Sequence, residues 1–449
     1  MNETKKHGRR WGNASGGASQ KEVADNILKD FVGMMVEKVK AVKGDWTKPW
    51  FSPGVQGSPR ALFGDEYRGM NALMTMFRCE AEGWDVPLFA TFNRFNELNY
   101  SGKVDERGRK IPLTGPDGNP LPYVGVRAGE KGTKVTYNKP YAYDFSTRKT
   151  LDIKDYDRLS DEEKAKYSVL TKPFSFTVFN ICQTNIREQR PELWEKLCKD
   201  YLAKDLQLVK DDENQIHFEP TDRMVRENKW IVPVRFENQD NCRYSKSAHD
   251  ILMPLREQFI AKGDDGRNFY ISMWHEMVHS ALHEDKAHGG VSDVLTQVTG
   301  ITEEESGTRN SKAFDRYSCE ELAAELGGAF IAHRYGITSQ PTEDSLRYLD
   351  SWLKNLQESP EFLKTAMRQM KGATLVIAEH IDKMDQVIRQ ERDAGRGMEP
   401  VKEDVGMDFD GDGLLEGTES DRIVRGDGRD SSQESSSYDQ AARNVFHRR

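Results

Sequence analysis

The sequence has no run of 18 apolar residues, and its basic opening, MNETKKHGRRWGNASGG, is not followed by an apolar stretch. Neither a membrane span nor a secretory leader is expected, and a cytoplasmic location is. Cysteine is sparse: Cys79, Cys182, Cys198, Cys242 and Cys319 are odd in number, scattered and never spaced as CxxC. That usage fits reduced thiols and argues against a disulfide framework. No internal repeat is visible. Aromatic residues are plentiful, with 20 Phe, 15 Tyr and 8 Trp, so a chain of 449 residues has material for the cores of two or three domains. Charge is uneven along it. Residues 1–150 hold 24 Lys and Arg against 17 Asp and Glu, a net +7, which leaves −16 on the remainder of a chain whose total is −9. A basic module joined to an acidic one predicts that only the first meets a polyanion.

The run His275-Glu276-Met277-Val278-His279 lies in a largely apolar stretch, Asn268 to Leu282, without Gly or Pro. That context predicts a buried helix. At 3.6 residues per turn His275 and His279 project from one face and can share a tetrahedral zinc ion, with Glu276 beside them as the base for a water. Two histidines and a glutamate buried without such a task would cost free energy.

A zinc site needs a third protein ligand. His283 lies about 12 Å along the helix from His275, too far to share one ion. The extended pattern HExxHxxGxxH would need Gly at 282 and His at 285, where the chain has Leu282 and Asp285. A carboxylate from a second helix, Tyr317 to Ile331, is the alternative. Counted from Glu320, small residues fall at Ala323 and Gly327 and apolar ones at Leu326 and Phe330, a packing stripe beneath a carboxylate. Glu320 is therefore the expected ligand. Glu321, whose face runs through Glu325 and Gly328 and reads as more solvated, is the runner-up, and Glu325 could support a ligand histidine. Tyr317 is the candidate donor to an oxyanion.

The expected fold class is α+β: a small N-terminal α+β module, then a mainly helical domain, then a tail. Ser19-Gln20-Lys21-Glu22 is a capping box opening a helix that buries Val23, Ile27, Phe31, Met35, Val39 and Val42. A second helix follows Tyr67–Asn71 and closes at Gly83-Trp84. Strands are expected at 123–126, 134–137 and 174–180, with turns at 115–118 and 129–132. Further on, a short strand is expected at 251–253, a helix starting at Pro254, and helices at 345–357 and 361–392. Residues 393–449, rich in Gly, Ser and Asp, have the composition of a disordered tail. The expected division is a flexible basic N-terminus at 1–18, a first domain at 19–185, a second at 186–392 and the acidic tail at 393–449. Within the tail, Asp408, Asp410, Asp412 and Glu419 fall at calcium-ligand positions of an EF-hand loop, although Pro400, Gly406 and Gly426 disfavour flanking helices.

In order, YRGMN (67–71), VRAGEKGTKV (126–135), FTVFNICQT (176–184), DILMP (250–254), WHEMVH (274–279) and YSCEELAAELGGAF (317–330) resemble the ArdC-like antirestriction proteins of conjugative elements. The resemblance spans about residues 20–385. It implies a single-stranded DNA-binding domain followed by a zincin-like metallopeptidase domain, and a role in protecting incoming DNA from host restriction. Insertions at 103–122, 141–172 and 284–312, together with the tail, depart from the pattern. Single-strand binders combine a basic track with aromatic platforms. Arg68, Arg127, Lys131 and Lys134 are the candidate phosphate contacts, Asn71 a polar contact, and Trp84 and Phe92 the platforms. The expected protein is thus an enzyme, a zinc metallopeptidase with one zinc ion acting on a protein substrate. The rival readings are a DNA-binding protection protein with a vestigial metal site and a protease of DNA-bound proteins.

Overall fold

The structure, a computed structural model, describes residues 20–52, 57–202, 208–211, 214–284, 316–338, 340–341 and 345–396. The tail positions Asp408, Asp410, Asp412 and Glu419, residues 1–18 and most of the 284–312 insertion lie outside these. The described residues fall into two compact units, one drawn from 20–30 with 134–176 and one from 31–133 with 177–396.

Helix α1 (Gln20–Gly44) buries Ile27, Phe31, Met35, Val39 and Val42 of the face its periodicity predicts, while Val23 in its first turn is only half-buried. In the larger unit follow β1 (Arg60–Ala61), α2 (Gly69–Glu82), β2 (Leu88–Thr91), α3 (Phe92–Glu97) and the hairpin β3 (Tyr100–Val104) with β4 (Lys110–Pro112). α2 stops where Gly83 turns left-handed at φ 69°, freeing Trp84 N–H to return to the Cys79 carbonyl. The smaller unit holds the antiparallel hairpin β5 (Thr133–Asp144) and β6 (Lys149–Asp152), whose turn is tied by Ser146 and Thr147 donating to Asp144. The short helices α4 (Ile153–Asp157) and α5 (Asp161–Lys164) come next, and then β7 (Ser168–Asn180). Its last residues, 178–180, belong to the larger unit and pair antiparallel with β2, itself parallel to β1.

The strand expected at 123–126 does not form. Val126 makes only an isolated bridge to Thr184. Asn99 and Asn185 instead satisfy the backbone, accepting from Val124 and Gly125 N–H at 2.8 Å and donating to the Val124 and Tyr123 carbonyls.

Helices α6 (Ile186–Gln189) and α7 (Pro191–Leu202), the hairpin β8 (Leu208–Lys210) with β9 (Ile216–Phe218), and α8 (Glu219–Arg226) lead to a small sheet. It consists of β10 (Val234–Glu237), β11 (Arg243–Ser245) and β12 (Asp250–Pro254), with β12 central, parallel to β10 and antiparallel to β11. Pro254 ends β12 rather than starting a helix; α9 (Arg256–Ala261) begins two residues on. Then come α10 (Arg267–Glu284), α11 (Arg316–Arg334), α12 (Leu349–Glu358) and α13 (Pro360–Arg396). Met277, Val278 and Ala281 of α10, Ala324 and Ile331 of α11, and Ala373, Ile377 and Ile381 of α13 share one buried core. Two glycines let α11 lie close to α10. A Cβ at Gly327 would come within 2.8 Å of Val278, and one at Gly328 within 3.1 Å of the His275 backbone nitrogen.

Candidate metal centre

α10 is buried from Phe269 to Leu282 except at half-buried Ser272, as its apolar sequence predicts, and His275 and His279 leave it on one side. Their Nε2 atoms converge to 3.2 Å. The third group is Glu321: its carboxylate oxygens lie 3.6 Å from His275 Nε2 and 3.7 Å from His279 Nε2. Ligands about 2.0–2.2 Å from a tetrahedral ion stand about 3.3–3.6 Å apart, so these three donors fit one zinc-sized cation. Among the described residues they form the one cluster with such geometry.

The geometry therefore moves the third-ligand assignment from Glu320 to Glu321. Glu320 points to the outer side of the pair, where one oxygen is 2.8 Å from His279 Nδ1 and 2.9 Å from His283 Nε2. The expectation that the Glu321–Glu325–Gly328 face is solvated was the source of the error. Gly328 seats that face on the α10 backbone, so Glu321 and Glu325 are both buried. Glu325 lies on the far side of His275, with its Oε2 3.6 Å from His275 Nδ1.

Electrostatics follow the geometry. Burial disfavours a charged His275, but Glu321 and Glu325 outweigh it and raise its pKa to about 10. Burial likewise opposes ionisation of Glu320, yet hydrogen bonds with His279 and His283 bring it to about 2. Glu321 and Glu325 are also held below the ordinary carboxylate range by the histidines, against burial. The cluster thus pairs ionised carboxylates with imidazoles, the charge pattern a divalent cation would replace.

Glu276, beside the triad, accepts the Tyr244 N–H of edge strand β11 at 2.6 Å. Tyr244 in turn stacks on His283, with ring planes 9° apart, and donates its hydroxyl to Glu284. Tyr317 is exposed, and a hydrogen bond with Tyr348, partial desolvation and the charge of Glu321 raise the pKa of its phenol. A cleft of about 750 Å³ opens onto His275 and Glu276, walled by Phe259, Ile271, Trp46 and Pro49 among others. Trp46 and Tyr244 were not anticipated, because nothing local in the sequence links them to HEMVH.

The DNA-contact candidates are distributed. Phe92, Arg127, Lys131 and Lys134 are exposed, Trp84 is half-buried, and Asn71 lies half-buried on α2. Arg127 donates to the Cys182 carbonyl and pairs with Glu188. Arg68 is half-buried and lines a cleft of about 270 Å³ with Glu66, Arg334 and Asp382. Gln183 holds the 129–132 turn by donating to Glu130 and to the Lys131 carbonyl, while Gly132 passes so close to β7 that a Cβ would meet Thr177 at 2.5 Å. Two further exposed aromatics surround α3. Arg94 lies over the Phe63 ring at 5.7 Å, and Tyr123 donates to Asn96 at 2.7 Å. Phe63, Phe92 and Tyr123 are 46 %, 49 % and 58 % exposed. Phe63 also holds a positive φ of 60°, a conformation bulky residues seldom adopt.

Residues 221–369 match the family model of zincin-like metallopeptidases. Residues 25–179 match that of the N-terminal domain of anti-restriction factor ArdC. The chain is thus ArdC-like, joining an ArdC N-terminal domain to a zincin-like metallopeptidase domain. Crystal structures of the antirestriction protein ArdC from plasmid R388 are similar to it. The metal-free form is 20 % identical, covering 79 % of this chain and 98 % of that one with a TM-score of 0.47. The Mn(II)-bound form is 19 % identical, covering 81 % and 98 % with a TM-score of 0.44. No curated protein sequence matches the chain. Among the described residues no helix is long and apolar enough to cross a membrane.

Proposed function

We propose that this protein is a single-stranded DNA-binding zinc metallopeptidase of a mobile element, acting in the cytoplasm to protect incoming DNA from host restriction. Residues 19–185 form its DNA-binding part and residues 186–392 its peptidase. The observation that carries the reading is the convergence of His275, His279 and Glu321 at tetrahedral spacing with Glu276 alongside. A zinc ion held there would supply Lewis acidity, polarising a carbonyl and lowering the pKa of water toward about 7. Glu276 takes the proton of the attacking water and delivers it to the leaving amine. Tyr317 donates to the oxygen on which negative charge develops, and the cleft beside Glu276 receives the chain to be cut. Glu320 and Glu325 orient the two imidazoles through their Nδ1 sides.

Phe63, Phe92 and Tyr123 around α3 serve as stacking platforms for bases, and exposed Lys131 contacts phosphate. A positive φ at a half-exposed aromatic that touches Arg94 supports a binding role for Phe63.

One observation favours the second reading, a protection protein with a structural metal site: the Tyr244 amide already occupies Glu276. Hydrolysis of proteins bound to single-stranded DNA, measured with zinc-loaded wild type and Glu276→Gln, separates the two. The enzyme reading expects cleavage by wild type and at least about 100-fold less by the variant. Equal behaviour of the two proteins would favour the structural site.

A further inference from the structure

Glu325 is 3 % exposed, and a carboxylate so placed needs donors. Trp50 and Ser345 are among them, and both are neutral. Trp50 donates its indole N–H to Oε1 at 2.7 Å, and Ser345 donates its hydroxyl to Oε2 at 2.6 Å. Neither cancels the charge, so the ionised group keeps facing His275 Nδ1, 3.6 Å from Oε2. That Nδ1 is buried and makes no hydrogen bond, and the Glu325 carboxylate is the acceptor that faces it, just beyond hydrogen-bond distance. Trp50 itself is fully buried, 6.4 Å from the Trp352 ring. It belongs to the Trp46–Trp50 turn after α1, inside the segment that matches the ArdC N-terminal domain and about 170 residues before the start of the peptidase match.

We propose that Trp50 is a positioning residue of the metal centre, fixing Glu325 so that it holds His275 in the tautomer protonated at Nδ1 with the Nε2 lone pair turned to the metal. The inference rests on the metal-site reading above. It adds that the N-terminal region completes the peptidase site, since a segment outside the peptidase match supplies a donor that holds its outer carboxylate. Carboxylate partners of ligand histidines fix ring orientation and ligand basicity, and their loss costs about 10–100-fold in metal affinity. Removal of the Trp50 N–H acts on the same path.

The test is a chelator-competition titration of the full chain with zinc, comparing wild type, Trp50→Phe, Glu325→Gln and the double variant. Trp50→Phe is expected to bind zinc about 10-fold more weakly or worse. In the Glu325→Gln background the same change should matter less than about twofold, because the two residues act in series. A residue that merely filled space would not show that coupling. Should Trp50→Phe fail to fold, benzothienylalanine at position 50 keeps the ring shape, lacks the N–H and carries the same expectation. Wild-type affinity in either position-50 variant, or a loss that adds fully to that of Glu325→Gln, overturns the proposal. Failure of the wild type itself to bind zinc would overturn the metal centre and this inference with it.

Discussion

Replacing Glu321 by Ala removes the only carboxylate of the triad and leaves two imidazoles 3.2 Å apart to hold the ion. Replacing Glu320 by Ala leaves all three donors in place and removes the acceptor 2.8 Å from His279 Nδ1. The two losses should differ in kind. Partners of a ligand histidine are worth about 10–100-fold in affinity, so Glu320→Ala should fall in that range. Glu321→Ala loses a direct bond to the metal and should exceed it, by more than about 100-fold, or about 2.7 kcal/mol. Zinc titration against a chromophoric chelator, with metal content of the dialysed proteins as a second measure, ranks them. Retention of zinc by Glu321→Ala together with its loss in Glu320→Ala would refute the geometry and restore the register first expected from the sequence.

The charge pattern of the metal-free cluster predicts a pH dependence. His275 has a folded pKa of about 10 against an ordinary 6.5, so its contribution to stability is fully present below 6.5 and is lost as pH rises through about 10. Denaturant unfolding in the presence of a chelator should show that decline, and excess zinc should flatten it, because a ligand nitrogen carries no proton. A slope unaffected by zinc would contradict the assignment. Gly328→Ala places a Cβ 3.1 Å from the His275 nitrogen and should destabilise the fold by about 1–3 kcal/mol while weakening zinc binding; an unchanged melting temperature would show that α11 has room to spare. Phe63→Ala and Phe92→Ala should each weaken single-stranded DNA binding by about 1–3 kcal/mol with little change in its salt dependence, whereas Lys131→Ala should lower the salt slope by about one. Equilibrium binding at several salt concentrations distinguishes the two behaviours, and wild-type affinity in both Phe variants would remove α3 from the DNA surface.

The histidine pair and Glu276 were legible because one helical turn encodes their spacing, as were α1, α2 and α13 from their periodicity. The register of the third ligand was not. α11 is buried on nearly all sides from Ser318 to His333, so hydrophobic periodicity carries no contrast between the Glu320 and Glu321 faces. Only the seating of Gly327 and Gly328 on α10 decides between them, and that depends on the partner helix. Trp50 was invisible for a similar reason. Its role depends on a hydrogen bond to a residue 275 positions away, which no local pattern announces. The missing strand at 123–126 shows the converse: its residues suit a strand, but the Asn99 and Asn185 side chains take its backbone groups.

The central claim is that peptide hydrolysis at the His275–His279–Glu321 centre serves the protection of DNA. Protection against restriction, scored in cells carrying wild type or Glu276→Gln, tests it most directly once the variant has been shown to keep its zinc and its affinity for single-stranded DNA. The account predicts that protection is lost in Glu276→Gln. Undiminished protection would contradict it, leaving DNA binding rather than hydrolysis as the activity this protein uses.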